Sequence, residues 1–456
     1  MGLPALVCLA LALQPAQPAP PLAGVWNGAL EAGGARLRLV LHVRRGASLS
    51  ASIDSVDQGA MNIPVTAVTF DAGEVRLELR QLQASFAGRL SQDGASITGQ
   101  WRQSGASLPL VFRRGGLPGR PQEPAKPYPY REEEAAIENR EGGVKLAGTL
   151  TLPLAKAPVP ALVLLTGSGP QDRDESVFGH RPFLVLADHL TRRGYAVLRM
   201  DDRGVGGSSG DLAEAALGDL AGDALAAVRY LQKREEIDAR RIGLAGHSEG
   251  ALAATIAAVR SADVAFLVLM AAPGVPAEEV MYSQSALLGG GMEERNRRLQ
   301  RRLFAAVKET ADRAALERRL RGIAAEFLGE LAEEERKAAA EIEKALNSQV
   351  RAMSAPSFRA LLLHNPAQTL GRVKAPVLVV AGSRDVQVRP DLNLPPIAAA
   401  LEAGRNPAYD IVKLPGLNHL LQTCRTGGID EYAKIEETMS PQALNVIASW
   451  LDRQRR

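Results

Sequence analysis

Gly246-His247-Ser248-Glu249-Gly250 stands between the apolar run Ile242-Gly243-Leu244-Ala245 and the helical pattern Ala251-Leu252-Ala253-Ala254-Thr255-Ile256-Ala257-Ala258. A G-x-S-x-G at a strand-to-helix junction predicts a nucleophile elbow, a turn so tight that its serine takes a strained backbone conformation. The flanking glycines leave room for neighbouring chain. The Ser248 hydroxyl is then lifted above a sheet, at the start of a helix whose backbone donors stabilise negative charge.

On both sides of this turn strands and helices alternate. Residues 148–152, 159–165, 195–200 and 264–269 read as strands, and 182–193 and 217–234 as helices. The pattern returns with Pro376-Val377-Leu378-Val379-Val380-Ala381 and closes with a helix over 441–453. Such β-then-α alternation predicts a mostly parallel sheet covered on both faces. It is interrupted at about 275–365 by a block dense in Glu, Arg, Ala and Leu with helical spacing, which reads as a helical cap. A helical excursion with no role in binding is the alternative.

The first third reads differently. Arg36-Leu37-Arg38-Leu39-Val40-Leu41-His42-Val43-Arg44 and Glu74-Val75-Arg76-Leu77-Glu78-Leu79-Arg80 alternate with period two, and Asp93-Gly94 is a hairpin signal. Residues 22–114 are therefore expected as a small all-β, barrel-like domain, with either a filled core or a ligand cavity. Prolines crowd 115–131, which reads as a semi-rigid linker. The expected α/β domain then runs over 132–456.

A chain of 456 residues accommodates these domains. Its formal net charge of +3, with basic and acidic residues interspersed, points away from a nucleic-acid partner. Residues 1–21 combine a short apolar core with a Pro- and Ala-rich zone, the pattern of a secretory signal peptide, although Met1-Gly2 carries no Lys or Arg. Export to the periplasm or medium is the expectation, with no stable membrane span once the leader is removed. Without the leader only Cys424 remains, so no internal disulfide is expected and Cys424 reads as a loop residue. No Cys/His cluster has metal-ligand spacing, and neither a metal nor a cofactor is expected. Oligomeric state is not legible.

A serine hydroxyl needs a base within reach, and the base needs an orienting acid. Of six histidines, His419 lies in Leu414-Pro415-Gly416-Leu417-Asn418-His419, after the run 409–414 and before the last helix. That loop is expected to overhang the elbow. The acid should leave a strand end between serine and histidine, and Gly382-Ser383-Arg384-Asp385 follows 377–381 at once. Asp385 is the candidate, with Asp410 and Asp430 weaker. A tetrahedral oxyanion needs preorganised donors. Expected donors are the N–H of Glu249 and a second from Thr166-Gly167-Ser168-Gly169-Pro170, with Ser168 first and Gly167 next. Gly204-Val205-Gly206-Gly207-Ser208-Ser209-Gly210 lacks the Lys-Ser/Thr of a nucleotide loop and reads as structural.

Together these pieces resemble the α/β-hydrolase superfamily, and more narrowly the EstD-type carboxylesterases, also grouped with serine aminopeptidase-like hydrolases. The resemblance rests on Gly167-Ser168-Gly169-Pro170-Gln171-Asp172-Arg173-Asp174, Asp201-Asp202-Arg203-Gly204, the elbow, Gly382-Ser383-Arg384-Asp385 and Asn418-His419. The β region resembles the lipocalin-like domain that some members carry. What the resemblance implies is hydrolysis of short-chain acyl esters, with Ser248, Asp385 and His419 as a triad. A peptidase or amidase with the same triad, and a non-catalytic ligand-binding protein, are the competing functions.

Overall fold

In the computed structural model the chain divides into two units, Met1–Pro118 and Gly119–Arg456. The residues described are 22–32, 35–46, 48–58, 60–115, 120–285, 293–330 and 339–454. The expected leader at 1–21 lies outside them.

Among the described residues the first unit has nine strands: β1 (Gly24–Ala32), β2 (Ala35–Arg45), β3 (Leu49–Ser55), β4 (Ala60–Val65), β5 (Ala67–Asp71), β6 (Glu74–Leu79), β7 (Ala84–Leu90), β8 (Ser96–Gln103) and β9 (Ala106–Arg114). They form one antiparallel sheet in the order β4-β3-β2-β1-β9-β8-β7-β6-β5. Its two ends curl together, β5 approaching β3 and β4 approaching β6, which makes the sheet barrel-like. The period-two reading holds in β6, where Val75, Leu77 and Leu79 are buried and Glu74, Arg76 and Glu78 are exposed. Trp26, Leu41, Ile53, Phe86 and Phe112 pack the inward face. Trp26 satisfies its buried indole N–H on the Leu22 carbonyl at 2.9 Å.

The second unit continues with β10 (Tyr130–Asn139), β11 (Val144–Pro153), β12 (Val159–Leu165), β13 (Ala196–Met200), β14 (Ile237–His247), β15 (Leu267–Met270), β16 (Val377–Gly382) and β17 (Tyr409–Leu414). The strand order is β10-β11-β13-β12-β14-β15-β16-β17, parallel from β13 onward, with an antiparallel β10–β11 hairpin at one edge. Helices α1 (Pro182–Arg192), α2 (Leu217–Gln232) and α3 (Glu249–Arg260) follow β12, β13 and β14 respectively. Every residue of β12 is buried. Alternate side chains enter different cores: Ala161, Val163 and Leu165 join residues of α2 and α3, while Leu162 and Leu164 join residues of α1 on the other face. A continuous apolar strand is what a sheet covered on both faces requires.

Between β15 and β16 lie α4 (Ala277–Ser285), α5 (Glu293–Glu309), α6 (Arg313–Gly329), α7 (Ala339–Met353), α8 (Pro356–Leu363) and α9 (Pro366–Leu370). The insert has its own core, including Leu303, Phe304, Leu316, Leu320 and Val350. After β16 come α10 (Pro390–Ala403), then β17, α11 (Ile429–Tyr432) and α12 (Pro441–Gln454). Among the described residues no helix is long and apolar enough to cross a membrane.

The proline-rich stretch departs from the expected spacer. Arg120 donates to the carbonyls of Gly179 and Ala433 at 3.2 and 2.7 Å. Gln122 bonds the backbone of Thr438 and Met439, and Glu123 pairs with Arg181. From Arg120 onward the stretch is thus strapped to the α/β unit. Proline supplies extension, but the polar side chains between the prolines supply the attachment.

Candidate active site

Strand β14 ends at His247, and α3 begins at Glu249. Ser248 between them has φ 51° and ψ −115°, a left-handed φ that L-residues adopt only under constraint. The constraint is visible at both glycines. A Cβ on Gly246 would lie 2.3 Å from the Gly250 carbonyl oxygen, and one on Gly250 would lie 2.3 Å from that of Leu165. The Ser248 N–H is held by the Met270 carbonyl of β15 at 2.9 Å.

Asp385 leaves the end of β16 and is buried. One carboxylate oxygen accepts the N–H groups of Gln387 and Val388, each at 2.8 Å. The other accepts from His419 Nδ1 at 2.8 Å. A carboxylate only accepts, so Nδ1 carries the proton and the neutral ring keeps its lone pair on Nε2. The His419 loop is fixed from below. Asn418 Oδ1 caps the N–H groups of Leu420 and Gln422, and its amide bonds Gln422 Oε1. A Cβ on Gly382 would meet the Leu417 carbonyl oxygen at 2.2 Å, so this glycine lets the β16 and β17 loops touch.

The loop after β12 is clamped by the Asp201-Asp202 segment. Thr166 Oγ1 and the Gln171 N–H donate to Asp202 at 2.7 and 2.9 Å. Arg173 pairs with Asp201 at 2.8 Å, and Asp201 also accepts the Gly207 N–H. This gives the Gly204–Gly210 turn a structural partner. Burial pushes the Asp202 carboxyl up to about 7, with the nearby Glu175 and Glu249 charges adding to the effect and its hydrogen bonds opposing it. Burial likewise raises the Glu249 carboxyl, against a hydrogen bond from Ser168.

One expected donor is engaged elsewhere. The Gly167 N–H points at Glu175 Oε1, 2.7 Å away, and is removed from the oxyanion candidates. Glu249 is the first residue of α3, where a backbone N–H has no intrahelical acceptor. Ser168, Ser248, Glu249 and His419 line one cavity of about 380 Å³. Its apolar wall includes Leu252, Val275, Val280, Met281 and Leu361, so α4 and α8 of the inserted block contribute to it.

Sequence reading missed Glu175. It lines the same cavity, is buried, and bonds His247 Nδ1 at 2.8 Å. Its position in Gln171-Asp172-Arg173-Asp174-Glu175 made it one acid among three, with no local sign of which faced inward. Asp410 and Asp430, the weaker acid candidates, pair instead with Arg453 and Lys434 on exposed surface.

The sequence profile of the X-Pro dipeptidyl-peptidase family (S15) matches residues 142–394, more than half of the chain. The chain belongs to that family. The matched span includes Ser248 and Asp385 and ends before His419. The S15 member is also 33% identical over 174 residues to esterase EstD of Thermotoga maritima, covering 37% of this chain and 40% of the relative. The alignment thus spans well under half the length of that curated relative. Among solved structures, the Pyrococcus furiosus esterase Pf2001 matches with 17% identity and TM-score 0.43, covering 75% of this chain and 99% of that one. Est1E from Butyrivibrio proteoclasticus, bound to ferulic acid, matches with 18% identity and TM-score 0.41, covering 70% and 99%.

Proposed function

We propose that the protein is a serine hydrolase that cleaves carboxylic esters through an acyl-enzyme on Ser248. The observation that carries this reading is the convergence of Ser248, in its constrained turn, and the Asp385-oriented His419 on one cavity. His419 Nε2 takes the Ser248 proton as the hydroxyl attacks the ester carbonyl, then delivers it to the departing alcohol. Water repeats the sequence to free the acid. The N–H groups of Glu249 and Ser168 stabilise the oxyanion. An apolar wall of Leu, Val and Met suits an acyl chain, and the EstD similarity supports an ester substrate.

Ser248→Ala should lower turnover of p-nitrophenyl acetate by about 10⁴-fold or more. Activity near wild type in that variant ends the proposal. A second reading, peptide or amide hydrolysis by the same residues, is favoured by the family match. Turnover of aminoacyl-anilides exceeding that of esters selects it.

A further inference from the structure

Glu175 and His247 form a second acid–histidine pair beside the first. Glu175 Oε1 accepts the Gly167 N–H at 2.7 Å and bonds His247 Nδ1 at 2.8 Å. His247 Nε2 lies 3.1 Å from the backbone oxygen of His419. The His247 and His419 rings are 4.8 Å apart between centroids. Glu175 is held at φ 53°, in the left-handed region, although it is not glycine. Both side chains are almost wholly buried.

The hydrogen-bond geometry fits a doubly protonated His247. A backbone carbonyl only accepts, so Nε2 must carry a proton. An ionised carboxylate only accepts, so Nδ1 must carry one too. Both bonds therefore form together when the ring is a cation. Burial alone opposes that charge, but the Glu175 carboxylate outweighs it and holds His247 above the ordinary histidine range, with Asp385 adding to the pull.

We propose that Glu175 and the doubly protonated His247 are positioning residues, a strut that ties the loop after β12 to the backbone of His419. The strut joins three segments that approach the nucleophile separately: Gly167 beside Ser168, His247 beside Ser248, and the His419 main chain. It acts on His419 through the backbone, whereas Asp385 acts through the ring. When His419 accepts the Ser248 proton, two imidazolium rings face two carboxylates, so the new charge arises in a cluster that already alternates in sign. The role rests on the reading of Ser248 and His419 as nucleophile and base.

Glu175→Gln keeps shape and acceptor oxygen but removes the charge. With the amide oxygen toward Gly167, the neutral His247 ring has one proton and makes only one of its two bonds; with the amide NH₂ toward Nδ1, the ring keeps both but the Gly167 N–H loses its acceptor, so one tie of the strut is lost either way. Small misplacements in an active site cost up to about 100-fold. Expected for Glu175→Gln is a fall in kcat on p-nitrophenyl acetate of roughly 10- to 100-fold with KM within about twofold. Slower fluorophosphonate labelling of Ser248 should accompany it. In the intact protein labelled with ¹⁵N-histidine, both His247 nitrogens should give protonated-type shifts near neutral pH, and Glu175→Gln should convert one. His247→Gln assigns the signals. A singly protonated His247 in the wild type, or wild-type kcat in a folded Glu175→Gln variant, overturns the strut. Ser248→Ala separates the two ideas: it should abolish turnover and leave the His247 signals unchanged. Retained turnover there overturns the reading of Ser248 and with it the catalytic role of the strut, whatever the His247 spectrum.

Discussion

Asp385→Asn tests the orientation of His419 with little change in shape. Asp385 Oδ1 faces two backbone N–H groups at 2.8 Å, and Oδ2 faces His419 Nδ1 at the same distance. An asparagine has one acceptor oxygen and one donor NH₂. The NH₂ cannot face Gln387 and Val388, because three donors would meet without an acceptor. It must therefore face His419, and the ring responds by moving its proton to Nε2 so that Nδ1 can accept. Nε2 then has no lone pair for the Ser248 proton. A wrong tautomer and a lost carboxylate together cost on the order of 10⁴ in kcat in a well-studied serine protease. The same factor is expected here, about 5.4 kcal/mol of barrier. The assay is steady-state hydrolysis of p-nitrophenyl acetate at pH 7.5, with circular dichroism confirming the fold. A loss below tenfold would refute the argument, because the ring would then be oriented by something other than Asp385.

Further outcomes follow from the surrounding groups. Asp202, raised to about 7, binds its proton more tightly folded than unfolded, so its contribution to stability is full in acid and is lost as pH rises through about 7. The melting temperature of Asp202→Asn should therefore gain on wild type between pH 4 and 8, and a constant difference counts against the assignment. Met281→Trp fills part of the cavity from α4 and should lower kcat/KM for an octanoyl ester about tenfold more than for an acetyl ester. Equal losses would remove Met281 from the acyl path. Trp26→Ala empties the first unit's core and should destabilise that unit by about 3–5 kcal/mol in chemical denaturation.

What the sequence alone determined is local. A period of two placed the strands of the first unit, and a continuous apolar run placed β12, because side-chain alternation and two-sided burial leave direct marks on residue order. The elbow was legible because only glycine fits the close approaches at 246 and 250. Strand β10 was obscured: its acidic start, Glu132-Glu133-Glu134, masks the buried Tyr130, Ala135 and Ile137 beneath it. What tertiary structure decided is pairing across distance. Gly167 gave up its donor to Glu175, and His247 turned toward Glu175 and the His419 carbonyl, because the β12 and β14 ends and the β17 loop meet at one rim of the sheet. Hydrogen bonds between residues 72 or 172 positions apart leave no periodicity in the chain, so only the folded backbone could assign them.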